Sequence, residues 1–199
     1  MKIKNEDLIA ELVALTDNSI AEVKKFLDLD IETLNYKPNP VTWSMLESIE
    51  HLNLYGNFYL PEIERQLAKA RPKSNCFFTS GLIGDYFVNL IRVKNGSIKK
   101  IKSPKNMDPA NPHLTYITLN RFIKQQEKLR SLLLDALKKD LTHTKTAISV
   151  SNLFQIRIGD TLRFAVYHTE RHVLQAKHAW ETAIKAEVST NTEMSPVFS

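Results

Sequence analysis

Apolar residues recur every three or four positions along four long segments of the chain, which is the spacing of an amphipathic helix. The segments span about residues 6–29, 44–70, 114–139 and 160–187, and a connector over about 140–158 separates the last two. Four such helices are typical of a four-helix bundle. We therefore predict an all-α fold with one domain over residues 1–187 and a flexible C-terminal tail over residues 188–199.

Local signals indicate where the second and fourth helices begin. Ser44 followed three residues later by Glu47 matches a capping box, so the second helix should start at Ser44. Asp160 is placed to cap the fourth helix. Within the second helix, Gly56 and Pro61 predict a bend or a break.

Between the second and third helices, over about residues 71–113, the helical period fades and glycine and proline become frequent. The segment is too apolar for a linker, so we predict an ordered insert with a short helix over residues 82–93. Its stretch 92–105 contains six positive residues and no acid, namely Arg92, Lys94, Lys99, Lys100, Lys102 and Lys105. This stretch is either a solvated loop or, if the insert overhangs the functional site, an attractor for an anionic substrate.

Composition narrows the class of protein. The formal net charge is +5, but the excess is not spread over a helix face, so no nucleic-acid partner is expected. The single cysteine, Cys76, excludes an internal disulfide and every cysteine-cluster zinc site, and we expect an ordinary loop or packing residue there. No signal-peptide core or membrane-spanning apolar run is visible, so we expect a cytoplasmic protein with no membrane partner.

Two of the six histidines, His168 and His172, lie four residues apart in the fourth helix. Side chains at this spacing project side by side and can bind one metal ion together, although such a pair also arises by chance on a half-buried helix. The zinc-protease pattern HExxH does not apply, because the glutamate is Glu170 rather than the residue after the first histidine. A third ligand must therefore come from another helix.

His51 is the best candidate for the third ligand. It lies two turns into the second helix, on the side that we expect to carry Leu54 and Phe58. The alternative is a neutral core histidine bonded to a backbone or hydroxyl group. The other three histidines, His113, His143 and His178, are interpreted as ordinary surface residues.

Two stretches resemble a known family. TWSMLESIEHLNLY, residues 42–55, resembles the WSxxExxxHL signature of the DinB-like superfamily, which includes the YfiT-like metal-dependent hydrolases. HTERHVLQ, residues 168–175, resembles the closing HxxxHxxQ segment of that superfamily. The resemblance implies a four-helix bundle with a long crossover and a divalent metal bound by three histidines, which carries over to His51, His168 and His172.

The resemblance also sets expectations about function. It implies a hydrolase-type, metal-dependent enzyme acting on an unknown small molecule; low-molecular-weight-thiol-dependent S-transferases or isomerases of the same superfamily are the alternative. A non-catalytic binding or dimerisation module is the alternative from another class, and we expect a homodimer through the outer faces of the bundle. Three imidazoles suit zinc or nickel first, and iron or manganese as well.

Three neighbouring side chains are candidates for supporting roles. Glu47 lies one turn before His51 and could orient it or act as a catalytic base, yet its capping role already explains it. Gln175 is placed to hydrogen-bond near the metal site. Arg171 could contact an acidic substrate, although we expect a solvated arginine.

Overall fold

The structure of the chain is a computed structural model that describes residues 1–94, 96–98, 101–109, 114–149 and 151–193. Its elements are β1 (Lys2–Lys4), α1 (Asn5–Phe26), α2 (Ile31–Asn35), α3 (Met45–Lys69), β2 (Phe77–Thr79), α4 (Leu82–Ile91), a 3₁₀ turn (Lys105–Met107), α5 (Tyr116–Ala136), β3 (Lys145–Ile148), β4 (Ser151–Arg157) and α6 (Ile158–Glu193). Among the described residues the strands form only two short pairs. The all-α fold class is confirmed.

The four predicted long helices are α1, α3, α5 and α6, and they form the bundle. Both α1 and α3 pack against α5 and against α6, so α1 and α3 occupy opposite corners. The helices α3 and α6, which carry the candidate histidines, are therefore neighbours. No helix in the described part of the chain combines the length and hydropathy needed to cross a bilayer.

The apolar core consists of two clusters stacked along the bundle. One cluster includes Leu12, Tyr55, Ile63, Leu129 and Tyr167, and the other includes Val23, Ile49, Phe122, Val173 and Ala176. Between them in sequence, on α3, α5 and α6, lie buried polar residues that we call the polar layer: Asn53, Gln126, Thr169, Arg171 and the histidines His51, His168 and His172. Apolar burial on both sides of this layer holds the helices together.

The helix α3 begins as predicted. Ser44 Oγ accepts a hydrogen bond from the backbone N–H of Glu47 at 3.1 Å, and Glu47 Oε2 accepts one from the Ser44 N–H at 2.8 Å. The predicted break at Gly56 or Pro61 is absent, because α3 runs unbroken to Lys69. Pro61 is exposed, while Tyr59 and Ile63 on either side of it are buried and hold the helix in place.

The insert is ordered where it is described. Its predicted short helix is α4, which packs on α6, and β2 pairs antiparallel with β1 at the N-terminus, a pairing that the sequence analysis did not anticipate. Lys94, Lys102 and Lys105 are exposed. His113 and the two lysines Lys99 and Lys100 lie outside the described residues.

The connector before the last helix is a β-hairpin rather than an irregular loop. Strands β3 and β4 pair antiparallel, with Lys145 opposite Arg157. Along β3 the buried side chains of Thr146 and Ile148 alternate with more exposed neighbours, which is the two-residue period of a strand. The run was too short to be recognised against the helical pattern around it.

The last helix, α6, differs from its prediction at both ends. It begins at Ile158, so Asp160 lies inside its first turn and is not its cap. The Asp160 carboxylate instead accepts a hydrogen bond at 2.8 Å from the N–H of Gly81, the N-cap residue of α4. The helix continues to Glu193, where the sequence analysis expected a tail from residue 188, and residues 194–199 lie outside the described part.

A buried ion pair fastens the insert to α6. Arg163 is 2% exposed, and its Nη1 donates to Asp160 at 2.9 Å and to Asp85 of α4 at 3.0 Å. The backbone of α4 also lies close to Asp160, since a Cβ atom added at Gly84 would lie 2.4 Å from an Asp160 carboxylate oxygen. Asp160 therefore accepts hydrogen bonds from both Arg163 and the backbone of Gly81.

We expect Asp160→Ala to lower the free energy of unfolding by about 3–5 kcal/mol, because it leaves the buried Arg163 charge without its main partner. Urea denaturation followed by circular dichroism measures the effect. The control is Glu64→Ala, which removes the exposed ion pair with Lys128 and should cost less than about 1 kcal/mol. Equal losses in the two variants would contradict a structural role for the buried pair.

Candidate metal centre

The structure brings His51, His168 and His172 together. The Nε2 atoms of His51 and His168 are 3.4 Å apart, and one ring nitrogen from each histidine lies within 4.8 Å of those of the other two. All three side chains are buried. The convergence expected from the sequence is therefore present, and the role of these side chains as ligands stays a prediction.

The spacing suits a small divalent cation. Tetrahedral coordination at about 2.0–2.1 Å places ligand nitrogens about 3.3 Å apart, close to the 3.4 Å that separates His51 and His168. Modest ring rotations would close the remaining gaps, since no ligand nitrogens are more than 4.8 Å apart. Three neutral imidazoles are also a donor set that leaves a fourth position for water or substrate. The three buried histidines could thus hold a metal ion.

Hydrogen bonds set the tautomers of two of the rings. His51 Nδ1 lies 2.6 Å from the carbonyl oxygen of Met107, in the insert. Because a carbonyl can only accept, His51 carries its proton on Nδ1, and its Nε2 lone pair is left to face the other histidines. His172 Nδ1 lies 3.0 Å from Oε1 of Gln175, which leaves its Nε2 in the same way. Gln175 thus contacts His172, and its supporting role at a metal site stays a prediction.

Burial keeps the three imidazoles uncharged. It lowers the pKa of His51 to about 4, although the hydrogen bond to Met107 and the charge of Asp108 act in the opposite direction. Burial is also the main reason why the pKa values of His168 and His172 lie well below their usual range. Neutral imidazoles are the form that binds metals, so the site is ready for a cation at neutral pH.

Aromatic rings surround the histidines, and the sequence analysis assigned them no role. Trp43 lies 4.8 Å from His51 between ring centroids, Tyr55 lies 4.3 Å from His168, and Phe164 stacks on His168 at 5.3 Å. Tyr55 follows His51 by four residues and Phe164 precedes His168 by four. This four-residue helical spacing is the sequence signal that could have identified Tyr55 and Phe164 as neighbours of the histidines. We expected Leu54 and Phe58 on the same side of α3 as His51, but their side chains are only half-buried. Tyr55 occupies this side of the helix instead.

Arg171 differs from its prediction, because it is buried rather than solvated, with only 5% of its surface exposed. Its position between His168 and His172 on α6 places it beside the site. Its positive charge contributes to lowering the pKa of each of the three histidines. Arg171 therefore acts electrostatically on all three histidines, and at His51 the charge of Asp108 acts in the opposite direction.

The contacts of Glu47 are those of a helix cap. One carboxylate oxygen accepts from the Ser44 backbone, and the other accepts from Lys37 Nζ at 2.8 Å. No hydrogen bond joins Glu47 to the three imidazoles within the described residues. We therefore leave Glu47 out of the group to which we assign chemistry.

Within the described residues, no hydrogen bond joins the other candidates to the three histidines. His143 is exposed and bonds to Asp140, and His178 is exposed near the end of α6. Cys76 is an exposed free thiol. In the basic stretch, Arg92 pairs with Glu11 at 3.2 Å and lies over the ring of Tyr167.

The depressed histidine pKa values predict how stability depends on pH. Between the ordinary histidine pKa near 6.5 and the folded-state value of about 4 for His51, the unfolded chain binds protons that the metal-free folded chain does not. Acidification from pH 7 to pH 5 should therefore destabilise the metal-free protein, by about 2 kcal/mol for each histidine that stays neutral. Urea midpoints across this range measure it.

A matched pair of variants isolates the contribution of the site. His51→Gln should flatten the decline between pH 7 and pH 5, whereas His178→Gln, at an exposed position, should leave it unchanged. An identical pH dependence in wild type and His51→Gln would contradict the assignment of the shifts to burial.

Comparison with known proteins gives the family. The sequence profile of the DinB superfamily matches residues 11–176, a span that runs from α1 into α6 and includes all three histidines. A comparison with curated proteins gave no match, and neither did a comparison with solved structures. The matched span covers most of the chain, which therefore belongs to the DinB superfamily.

Proposed function

We propose that His51, His168 and His172 hold a divalent metal ion and that the protein is a metal-dependent enzyme of hydrolase type. The observation that carries the proposal is the convergence of three buried, neutral imidazoles from two helices, with two of their outer nitrogens already bonded. Family membership supports it. Zinc or nickel are the ions that we expect first, and iron or manganese also suit the ligands.

The residues around the three histidines hold and orient the imidazole rings. Met107 and Gln175 fix the rings of His51 and His172, and the aromatic side chains restrict water around them. A bound divalent ion would supply Lewis-acid chemistry, polarising a water or substrate oxygen or stabilising a thiolate. The alternative function, a thiol-dependent transferase or isomerase, would use the same site. Turnover that requires an added thiol would favour this alternative over hydrolysis.

The alternative from another class, a non-catalytic binding or dimerisation module, is independent of the geometry of the histidine site. A protein that binds no metal under any loading condition would favour that alternative. The homodimer expected from the sequence stays a prediction, which light scattering of the purified protein would test.

We expect His168→Ala to abolish stoichiometric metal binding while helical content and cooperative unfolding persist. The reason is that the two apolar clusters bury enough surface to hold the bundle without the ion, unlike a zinc finger. Elemental analysis after metal loading and circular dichroism measure the two properties. Turnover of any substrate found by screening should fall with metal content.

The control is His178→Ala, which changes an exposed histidine on the same helix. It should keep the metal content of wild type. Unchanged metal content in His168→Ala would refute the site, and collapse of its helical signal would show that the ion is structural.

We propose further that Arg171 makes the site selective for anionic ligands. A divalent ion held by three neutral imidazoles keeps its full charge, and the buried guanidinium adds another positive charge beside it. A planar guanidinium also pairs well with carboxylate or phosphate oxygens. These properties favour a substrate that carries an oxyanion.

The visible spectrum of the Co²⁺-loaded protein, titrated with acetate and with inorganic phosphate, tests this proposal. We expect Arg171→Met to weaken anion binding about 10- to 100-fold, the effect of losing a charge-assisted hydrogen bond, with Arg171→Lys intermediate. Arg65→Met, at an exposed position far along α3, is the control. Equal anion affinity in Arg171→Met at equal cobalt content would exclude the role.

A further inference from the structure

Gln126 of α5 is a buried polar side chain with an unused acceptor. It is 5% exposed, and its Oε1 has no hydrogen-bond partner in the described part of the chain. A buried amide oxygen without a partner is destabilising, and native proteins tolerate few such atoms. We therefore expect a bound molecule to donate a hydrogen bond to Gln126 Oε1.

The side chain of Gln126 lines a cavity of about 20 Å³ between α3, α5 and α6. Most of the lining is apolar or aromatic, including Tyr55 and Phe164, while His168 and Thr169 add further polar groups. A cavity of roughly 10–15 Å³ or more with two to four polar partners holds a water molecule. This cavity is large enough for a single water, and Gln126, His168 and Thr169 in its lining carry polar groups that could bond to it.

His168 differs from the other two histidines in its outer nitrogen. The Nδ1 atoms of His51 and His172 bond to Met107 and Gln175, and His168 Nε2 faces His51. Within the described residues, no hydrogen bond is formed by His168 Nδ1. Metal-ligating histidines almost always donate this second N–H to a carboxylate, a carbonyl or a water.

We propose that one buried water bridges His168 Nδ1 and Gln126 Oε1, which makes Gln126 the positioning residue for His168. The water accepts from Nδ1–H when Nε2 binds the ion, and it donates to Gln126 Oε1. The role in metal binding rests on the proposed function.

A water suits His168 better than a fixed carbonyl would. In the metal-free protein His51 presents a lone pair on Nε2, so His168 Nε2 carries the proton between them and Nδ1 becomes an acceptor. A metal ion bound at Nε2 would require the proton of His168 to be on Nδ1. A water can donate in the first state and accept in the second, whereas a carbonyl could only accept.

Competition with a chromophoric chelator for Zn²⁺ measures the effect on the site. Gln126→Met should weaken zinc affinity about 10- to 100-fold, as the loss of an outer partner of a ligand typically does. Gln126→Glu keeps an acceptor and should bind zinc within about threefold of wild type. The metal-free Gln126→Met protein should unfold at a urea concentration close to that of wild type, because replacing the amide and its bound water together by an apolar side chain is nearly neutral.

The matched control is Gln125→Met, on the same helix. The Gln125 Nε2 donates to Asn53 and Asn57, its Oε1, like that of Gln126, lacks a partner among the described residues, and it does not line the cavity. It should keep wild-type zinc affinity. Unchanged affinity in Gln126→Met, or an equal loss in Gln125→Met, would overturn the positioning role.

A high-resolution crystal structure of the metal-free protein tests the bridge separately. Electron density for a water within hydrogen-bond distance of both Gln126 Oε1 and His168 Nδ1 is expected, and a direct protein partner for Oε1 would overturn it. A wild type that takes up no zinc would refute the proposed function and the positioning role together. Normal zinc uptake with Gln126-independent affinity would refute only the latter.

Discussion

The packing of α3 against α6 places three imidazoles side by side where water is largely excluded, and the chemistry of the site follows from that contact. Burial removes the option of holding the rings as cations, so their nitrogens must share protons or bind a metal. The hydrogen bond from His51 Nδ1 to Met107 narrows the choice further, because it leaves a lone pair on Nε2 that faces His168 at 3.4 Å. A cation at the common point would satisfy the converging lone pairs together.

The bundle tolerates this polar layer because apolar packing on either side is extensive. Residues of α1, α3, α5 and α6 contribute to both clusters, so each long helix is anchored above and below the histidines. The ion pair of Arg163 with Asp160 adds a second buried polar contact, on the side where α4 covers α6. The three histidines thus lie in a scaffold whose stability comes mainly from apolar packing, which holds their side chains in place.

Sequence periodicity predicted the helices and the face of α6 that carries the histidines, because both depend on local spacing. The capping box at Ser44 was equally local and is observed. Predictions that depended on tertiary partners were less successful. Asp160 has a capping residue's chemistry but bonds to Gly81 of another helix, and Arg171 has a surface residue's charge but lies in the interior. The hairpin at β3 and β4 was missed because two short strands give a weak period within a helical chain.

The contact between Met107 and His51 shows why sequence patterns could not predict the rest of the site. The two residues are 56 positions apart, and the acceptor is a backbone carbonyl, which every residue type possesses. Nothing in the identity of Met107 signals its role, since the side chain packs in the core while the main chain serves the imidazole. The path of the insert, rather than its composition, therefore determines the tautomer of His51. A movement of the 3₁₀ turn Lys105–Met107 away from α3 would free Nδ1 and allow the ring to turn its lone pair away from His168. The described part of the insert thus shapes the histidine cluster through a backbone carbonyl.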